Sequence, residues 1–319
     1  MWGAKGRMSI ILISGATGFV GANLTRYLVK EGFEVHIFVR KSSNLWRIED
    51  ILSQVKVHTV DLTDKRMVSS AVEEVKPEVI FHLATAGIYG GVHPDERSAI
   101  ETNFIGTINL INGCNKIGYK CFVNTGSSSE YGRKEKPMNE TDICEPNTLY
   151  GITKLASSLY AKNEGMKNGK PILTLRLFSP FGPYDDSRRL ISYAILNSLR
   201  NKNLELSNPN SVRDYIFVED VITAYLKCME KAEDCKGEIF NIGSGIQRKV
   251  SEVINVIQEK TGSKLEPMWG KIAGRDYDPE VWQADITKAR KYLNWYPKYT
   301  FTEGIERTVK WFKENISYY

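Results

Sequence analysis

The sequence predicts an α/β protein with a doubly wound parallel sheet and a smaller C-terminal α/β lobe. Three observations predict this fold. A strand, a glycine-rich turn and a helix follow one another at the start, strand-like and helix-like segments then alternate as far as residue 178, and turn-rich sequence follows. Strands joined by helices form a parallel sheet covered on both faces, with a ligand crevice at the carboxyl ends of the strands.

The strand, glycine-rich turn and helix at the start form the most informative segment of the sequence. Apolar residues 10–13 lead into a turn with glycines at positions 15, 18 and 21, and then into an amphipathic helix. The first glycine permits a tight turn, the second lets the backbone approach a pyrophosphate, and the third lets helix and strand pack closely. A bland tight turn is the alternative, but the flanking strand and helix favour a dinucleotide-binding (Rossmann) unit. The predicted cofactor contacts here are Gly15, Thr17, Gly18, Phe19, Val20 and Gly21.

The remaining elements follow from hydrophobic periodicity. Further strands are predicted at 34–39, 55–60, 79–83, 120–124, 171–177 and 237–243. Helices are predicted at 68–75, 99–117, 150–167, 190–200, 218–231, 250–261, 286–292 and 302–316. We expect an NAD(P)-binding domain over 8–178 and a lobe that covers the crevice over 179–319, with 214–243 rejoining the first domain.

Composition excludes several classes of protein. Apolar residues make up 42% and charged residues 25% of the chain, as in ordinary globular proteins. We expect a cytoplasmic protein with no membrane partner, because the sequence contains neither a run of ~20 apolar residues nor a secretory signal. Met8 could itself be the first residue of the natural chain, so the sequence leaves open whether residues 1–7 are native.

Charge and the metal-binding residue types add two exclusions. The five cysteines are odd in number and lack CxxC spacing, which favours reduced thiols, and the four histidines lack ligand spacing, so no metal is predicted. A net charge of +5 suits anionic small molecules, although solvated surface lysines explain it equally well. The sequence contains no stripe of interleaved basic and aromatic residues, so it does not predict binding to nucleic acid.

Two polar clusters follow the fifth predicted strand. Tyr150 and Lys154 are four residues apart on a helix, so they share one face, and the nearby cation favours the phenolate. Such a tyrosine can act as a general acid or base, whereas a solvated Tyr/Lys pair is the alternative. Residues 125–132 are rich in serine and glycine at the strand end, where a hydroxyl can bind a substrate oxygen; a simple turn is the alternative.

Taken together, these motifs resemble the extended short-chain dehydrogenase/reductase family, in its nucleotide-sugar epimerase/dehydratase/reductase branch. The resemblance covers nearly the whole chain. It rests on the glycine turn, Asp61-Leu62, His82-Leu83-Ala84, Asn103 in its Asn-Phe-Ile-Gly-Thr context, the serine cluster, Tyr150-x-x-x-Lys154, Arg213-Asp214-Tyr215-Ile216 and Phe240-Asn241-Ile242-Gly243.

The resemblance implies roles for these residues. Tyr150 is expected to be the general acid/base, Lys154 to tune it and hold the nicotinamide ribose, and Ser127 to bind the reacting sugar oxygen. Ser128 takes that last role if the loop carries a deletion. Further cofactor contacts are expected from Asp61, Leu62, Leu83, Ala84, Thr85 and Asn103. Contacts with the nucleotide-diphosphate sugar are expected from Ser127, Ser128, Tyr89, Arg188, Arg213 and Arg275. A homodimer is implied, with helices 99–117 and 150–167 pairing with their copies.

Two departures from the family pattern bear on the reaction. Family dehydratases carry acidic residues after the hydroxyl residue, where this chain has Ser128 and Ser129; a one-residue slip would bring Glu130 into that role. The second predicted strand ends in Arg40, Lys41 and Ser42 instead of the acid that binds the ribose 2′-OH of NAD.

The first departure argues against 4,6-dehydration. The second favours NADP(H), whose 2′-phosphate Arg40, Lys41 and Ser42 could bind, with a solvated basic turn as the alternative. The sequence therefore predicts an NADP(H)-dependent 4-ketoreductase of a nucleoside-diphosphate 4-keto-6-deoxyhexose. An NAD-dependent 4-epimerase similar to UDP-glucose epimerase is the alternative, and a catalytically idle cofactor-binding protein is a third. The base, the sugar and the product stereochemistry remain open.

Overall fold

The centre of the fold is a parallel sheet of seven strands in a computed structural model that describes residues 9–87, 95–272 and 279–319. The strands, in chain order, are β1 (Ile10–Ser14), β2 (Glu34–Val39), β3 (Lys56–Thr59), β4 (Val79–His82), β5 (Cys121–Ser127), β6 (Ile172–Leu177), β7 (Ser179–Phe181), β8 (Leu204–Glu205), β9 (Val212–Phe217), β10 (Ile239–Ile242), β11 (Gln247–Lys249) and β12 (Pro267–Met268). The large sheet has the order β3-β2-β1-β4-β5-β6-β10. The predicted doubly wound α/β fold is confirmed.

Helices cover both faces of this sheet. They are α1 (Phe19–Lys30), α2 (Lys65–Val75), α3 (Glu96–Ile100), α4 (Gly106–Cys114), α5 (Leu149–Asn168), α6 (Leu190–Leu199), α7 (Val218–Lys231), α8 (Val250–Thr261) and α9 (Phe301–Glu314). The expected single helix over 99–117 is wrong in detail, because a π-helical turn at Glu101–Ile105 separates α3 from α4. The helix expected at 286–292 is a short π-helix at Ala289–Leu293.

The sheet places its ligand crevice where the strand order reverses, between β1 and β4. Both of these strands, and β5 beside them, are buried almost throughout, because helices shield each face from water. Their carboxyl ends therefore meet at one edge, beside the turn that follows β1. Strand β10 pairs in parallel with β6 and extends the sheet there, with Ile239 opposite Thr174. The division into two domains stays a prediction.

A second apolar core lies beyond β6 and holds the lobe together. It includes Phe181, Tyr215, Phe217 and Phe301, which pack ring against ring under α6, α8 and α9. The segment after β7 is tied to α1, because Asn23 of that helix donates to the carbonyl of Pro183 at 2.9 Å. In the described parts of the chain, no helix has the length and apolar character needed to cross a membrane.

Candidate active site

A pocket of about 960 Å³ lies at the carboxyl ends of the parallel strands. It runs from the glycine turn, past the ends of β2, β4 and β5, to the lobe. Seventeen of the residues that the sequence singles out line it: Gly15, Thr17, Gly18, Phe19, Val20, Gly21, Arg40, Asp61, Leu62, Leu83, Ala84, Thr85, Ser127, Ser128, Tyr150, Arg188 and Arg213. Tyr89 and Arg275 lie outside the described residues.

The glycine turn has the shape that a dinucleotide pyrophosphate requires. Gly15 has φ +79°, and a Cβ there would stand 2.5 Å from the backbone nitrogen of Ala84. A Cβ on Gly21 would stand 2.1 Å from the carbonyl oxygen of Gly15, so α1 can approach the turn this closely only because residue 21 is glycine. Gly18 precedes α1, whose first N–H groups have no side-chain cap and lie at the pocket wall. These residues fit the pyrophosphate of a dinucleotide.

The turn after β2 differs from expectation in one respect. Arg40 lines the pocket as predicted, but Lys41 and Ser42 do not; Ser43 takes their place. The reason is a tight turn: the N–H of Ser43 donates to the carbonyl of Arg40, and the N–H of Arg40 donates to Oγ of Ser43, both at 2.9 Å. The turn carries Lys41 and Ser42 outward, where both are exposed.

Ser127 is the last residue of β5 and faces the pocket. Its Oγ accepts a hydrogen bond from the N–H of Ser129 at 3.1 Å, which leaves the hydroxyl proton to be donated to a ligand. A Cβ on Gly151, in the first turn of α5, would stand 2.4 Å from the carbonyl oxygen of Ser129. The serine turn and the start of α5 are therefore in close contact, which brings Ser127 and Tyr150 to the same part of the pocket.

Lys154 lies one helical turn beyond Tyr150 and is buried, with 3% of its surface exposed. Burial lowers the pKa of its ammonium group to about 8, and the charge of Glu130 acts in the opposite direction. His82 is fully buried nearby; burial, and then the Lys154 charge, lower the pKa of its imidazole to about 3. His82 is therefore neutral at physiological pH, and Lys154 is the cation closest to Tyr150 along α5.

The structure bears on the expected roles of Glu130 and Asn103. The slip that would bring Glu130 into the pocket does not occur, because its side chain is fully buried and its carboxylate accepts a hydrogen bond from Arg176 Nε at 2.7 Å. Asn103 also lies behind the pocket wall. Its amide is hydrogen-bonded to Ala86 and Thr153 at 2.7 to 3.1 Å, so this residue supports the segment after β4, and its expected cofactor contact stays a prediction.

The lobe side of the pocket contains three arginines and a tryptophan. Arg188 pairs with Asp186 at the surface, while Arg189 reaches inward to Asp185 at 2.8 Å. The guanidinium of Arg213 lies 5.1 Å from the ring centroid of Trp282, whose indole N–H donates to Oγ of Ser128 at 3.2 Å. Sequence analysis places Arg188, Arg189 and Leu190 in the region that lines the cleft, and all three line the pocket. It missed Ser43 and Trp282, for which no local signal exists.

A family model described as the NAD dependent epimerase/dehydratase family matches residues 11–243. The chain belongs to this family, and it is an NAD(P)-dependent enzyme of the oxidoreductase type that acts on nucleotide sugars.

Within the residues that the structure covers, no group of three or more His, Cys, Asp and Glu side chains could hold a metal ion.

Individual relatives are distant but match over nearly their whole length. A UDP-glucuronate 4-epimerase of Thermodesulfobacterium geofontis is 27% identical over 97% of this chain and 98% of its own. The UDP-glucose 4-epimerase of Thermotoga maritima, solved with UDP-glucose, superposes with a TM-score of 0.89 at 28% identity, covering 96% of this chain and 99% of its own. That of Thermus thermophilus, in complex with NAD, has a TM-score of 0.84 at 25% identity, covering 95% and 99%.

Proposed function

We propose that this protein is an NADP(H)-dependent 4-ketoreductase of a nucleoside-diphosphate 4-keto-6-deoxyhexose. The observation that carries the proposal is the end of β2, where Arg40 and Ser43 line the pocket. An acid at this point would repel a 2′-phosphate, whereas a guanidinium and a hydroxyl can bind it with charge-assisted hydrogen bonds. An exchangeable NADPH is the cofactor that a reductase needs.

The chain's own residues provide the proton chemistry. A bound nicotinamide supplies or accepts the hydride. The Ser127 hydroxyl donates a hydrogen bond to the carbonyl oxygen of the sugar and so orients it, and Tyr150 transfers its proton to the same oxygen as negative charge develops. Lys154, which is buried one helical turn beyond Tyr150, favours the phenolate that remains after this proton transfer. On the lobe side, Arg213 is positioned to bind the diphosphate.

The inward position of Glu130 argues against a dehydratase. Elimination of water beside a transient ketone needs an acid and a base that reach the sugar. The pocket positions after Ser127 are Ser128 and Ser129, both neutral, and Oγ of Ser128 accepts the Trp282 N–H. Glu130 is the acidic residue nearest to Ser127 in the sequence, and its carboxylate is bound to Ser127 N, Ser158 and Arg176 within the core.

The second candidate is an NAD-dependent 4-epimerase. The names of the relatives favour it, since the two solved structures described above are UDP-glucose 4-epimerases and one of them is bound to NAD. An epimerase would use the same Ser127, Tyr150 and Lys154, with the phenolate as base in the first half-reaction and the phenol as acid in the second.

Cofactor analysis of the purified protein separates the two candidates. We expect the purified protein to release little nicotinamide nucleotide when it is denatured. We expect the intact protein to oxidise NADPH in the presence of a nucleoside-diphosphate 4-keto-6-deoxyhexose. Tightly bound NAD, together with interconversion of UDP-glucose and UDP-galactose and no NADPH oxidation, would establish the epimerase instead.

We also propose that the protein is a homodimer through α3 to α5. Exposed apolar side chains are concentrated there: Ile152, Leu159 and Met166 of α5 are 50%, 53% and 67% exposed. Water-exposed apolar patches of this kind indicate an interface, and pairing with a second copy buries them.

Light scattering tests this proposal. We expect about twice the chain mass of 36.2 kDa at micromolar concentration, and a monomer for Leu159→Glu, which places a charge in the interface. Ile246→Glu is the matched control, because Ile246 is 55% exposed but lies away from α5. A monomeric native protein would contradict the dimer.

A further inference from the structure

Glu130 has no role in the proposed reaction, yet its buried carboxylate accepts three hydrogen bonds directly beside the site. It is fully buried, and Oε1 accepts hydrogen bonds from the Ser127 N–H at 2.8 Å and from the Ser158 hydroxyl at 2.9 Å. The other oxygen, Oε2, accepts from Arg176 Nε at 2.7 Å. The single carboxylate therefore joins the end of β5, helix α5 and strand β6.

The backbone leaves room for this carboxylate. A Cβ on Gly126 would stand 2.6 Å from Oε1 of Glu130 and 3.0 Å from the Thr174 side chain. Ser127 and Glu130 also complete a capping box around the short helical turn at Ser128–Glu130, which fixes the direction of the Ser127 side chain. The strand residue before Ser127 and the turn after it are thus both arranged around Glu130.

The same carboxylate lies close to Lys154. Ser158, which donates to Glu130, follows Lys154 by four residues on α5, so Lys154 and Ser158 share one face of the helix. Within the described residues, Glu130 and His82 of β4 interact electrostatically with Lys154, Tyr150 lies one turn earlier on the same helix, and Arg176 of β6 binds Glu130. His82 is neutral at physiological pH, as described above, so Glu130 supplies the opposing charge.

We propose that Glu130 is a positioning residue of this site: it holds the Ser127 turn against α5 and keeps Lys154 protonated at working pH. This inference rests on the proposed roles of Ser127, Tyr150 and Lys154. One carboxylate faces two buried cations, Lys154 and Arg176, so the local charge stays positive. A positive surrounding stabilises the phenolate that Tyr150 becomes when it gives up its proton in the proposed reaction.

The sign of the expected effect follows from the two influences on Lys154. Burial lowers the pKa of its ammonium group and the Glu130 charge raises it. Removing that charge therefore lowers the pKa further, and Lys154 then loses its proton at a lower pH. Turnover that depends on the cation should fail at a lower pH as well.

Glu130→Gln tests the charge, because the amide keeps an acceptor oxygen but carries no charge. We expect the titration midpoint of Lys154 to fall by about one pH unit or more, the usual effect of losing an opposite charge at this range. The readout is the ¹³Cε resonance of Lys154 in protein labelled at lysine Cε, assigned by its loss in Lys154→Met. The alkaline limb of kcat/KM should move down by the same amount.

Two comparison variants separate charge from general damage. Glu164→Gln also neutralises a buried carboxylate, but one that binds Asn115 and Asn168 at the far end of α5, and it should leave the Lys154 midpoint unchanged. If Glu130→Gln does not fold, because Arg176 is then buried without a partner, the double variant Glu130→Gln/Arg176→Gln removes both charges. It should show a smaller downward shift, because Arg176 lies beyond Glu130 and the loss of its positive charge acts on Lys154 in the opposite direction.

The outcomes are distinct. An unchanged Lys154 midpoint in a folded Glu130→Gln or double variant overturns the inference. A shifted midpoint in a protein with neither reductase nor epimerase activity overturns the proposed function and leaves the electrostatic role of Glu130 standing.

Discussion

Replacing Tyr150 with phenylalanine should reduce kcat by about 10²- to 10⁴-fold, the usual cost of losing a positioned general acid. The change removes one oxygen and keeps the ring, so the fold and the affinity for the cofactor should be preserved. Steady-state kinetics with NADPH and the keto sugar, together with a cofactor titration, measure both quantities.

Tyr160→Phe is the matched control for this change. Tyr160 lies on the same helix, and its hydroxyl donates to the side chain of Asn112 at 2.8 Å, away from the pocket. It should keep near-normal turnover. If the Tyr150 variant also kept its kcat, the proton would have to come from another group, and the roles proposed for Ser127 and Lys154 would lose their basis.

Replacing Arg40 with aspartate should reverse the cofactor preference. A partly desolvated charge-assisted hydrogen bond to the 2′-phosphate contributes about 1.5–3 kcal/mol, which corresponds to roughly a tenfold to hundredfold preference for NADP(H) in the native protein. The aspartate removes the donor, repels the phosphate and can accept a hydrogen bond from the 2′-OH of NAD. Titration of both cofactors into both proteins gives the four dissociation constants.

Lys41→Asp serves as the control, because it changes the net charge equally at a neighbouring residue that points away from the pocket. It should leave the preference almost unchanged apart from a small effect that salt screens. Equal affinities for the two cofactors in the native protein would mean that Arg40 does not bind the 2′-phosphate, and the epimerase would become the better proposal.

The sequence was informative wherever the signal was local. The apolar run of β1, the glycine spacing and the four-residue interval between Tyr150 and Lys154 each follow from contacts within a strand, a turn or a helix. The fold class needed little more, because alternating strands and helices admit few right-handed arrangements.

Features set by distant residues could not be predicted. The inward direction of Glu130 depends on Arg176, which is 46 positions away, and Trp282 reaches Ser128 across 154 positions. Ser43 lines the pocket in place of Ser42 because of a tight turn, and any small polar residue could have formed that turn. The support role of Asn103 arises from a π-helical turn, which requires one residue more than a regular helix and leaves no clear periodicity.

The position of β10 in the sheet has a consequence for biosynthesis. It pairs with β6, although 61 residues separate the end of β6 from its start. Until the ribosome has released that later segment, β6 presents an unpaired edge of backbone N–H and carbonyl groups, which can pair with other nascent chains. The nucleotide-binding half is therefore completed late in translation, and a fragment ending near residue 178 would keep this edge exposed.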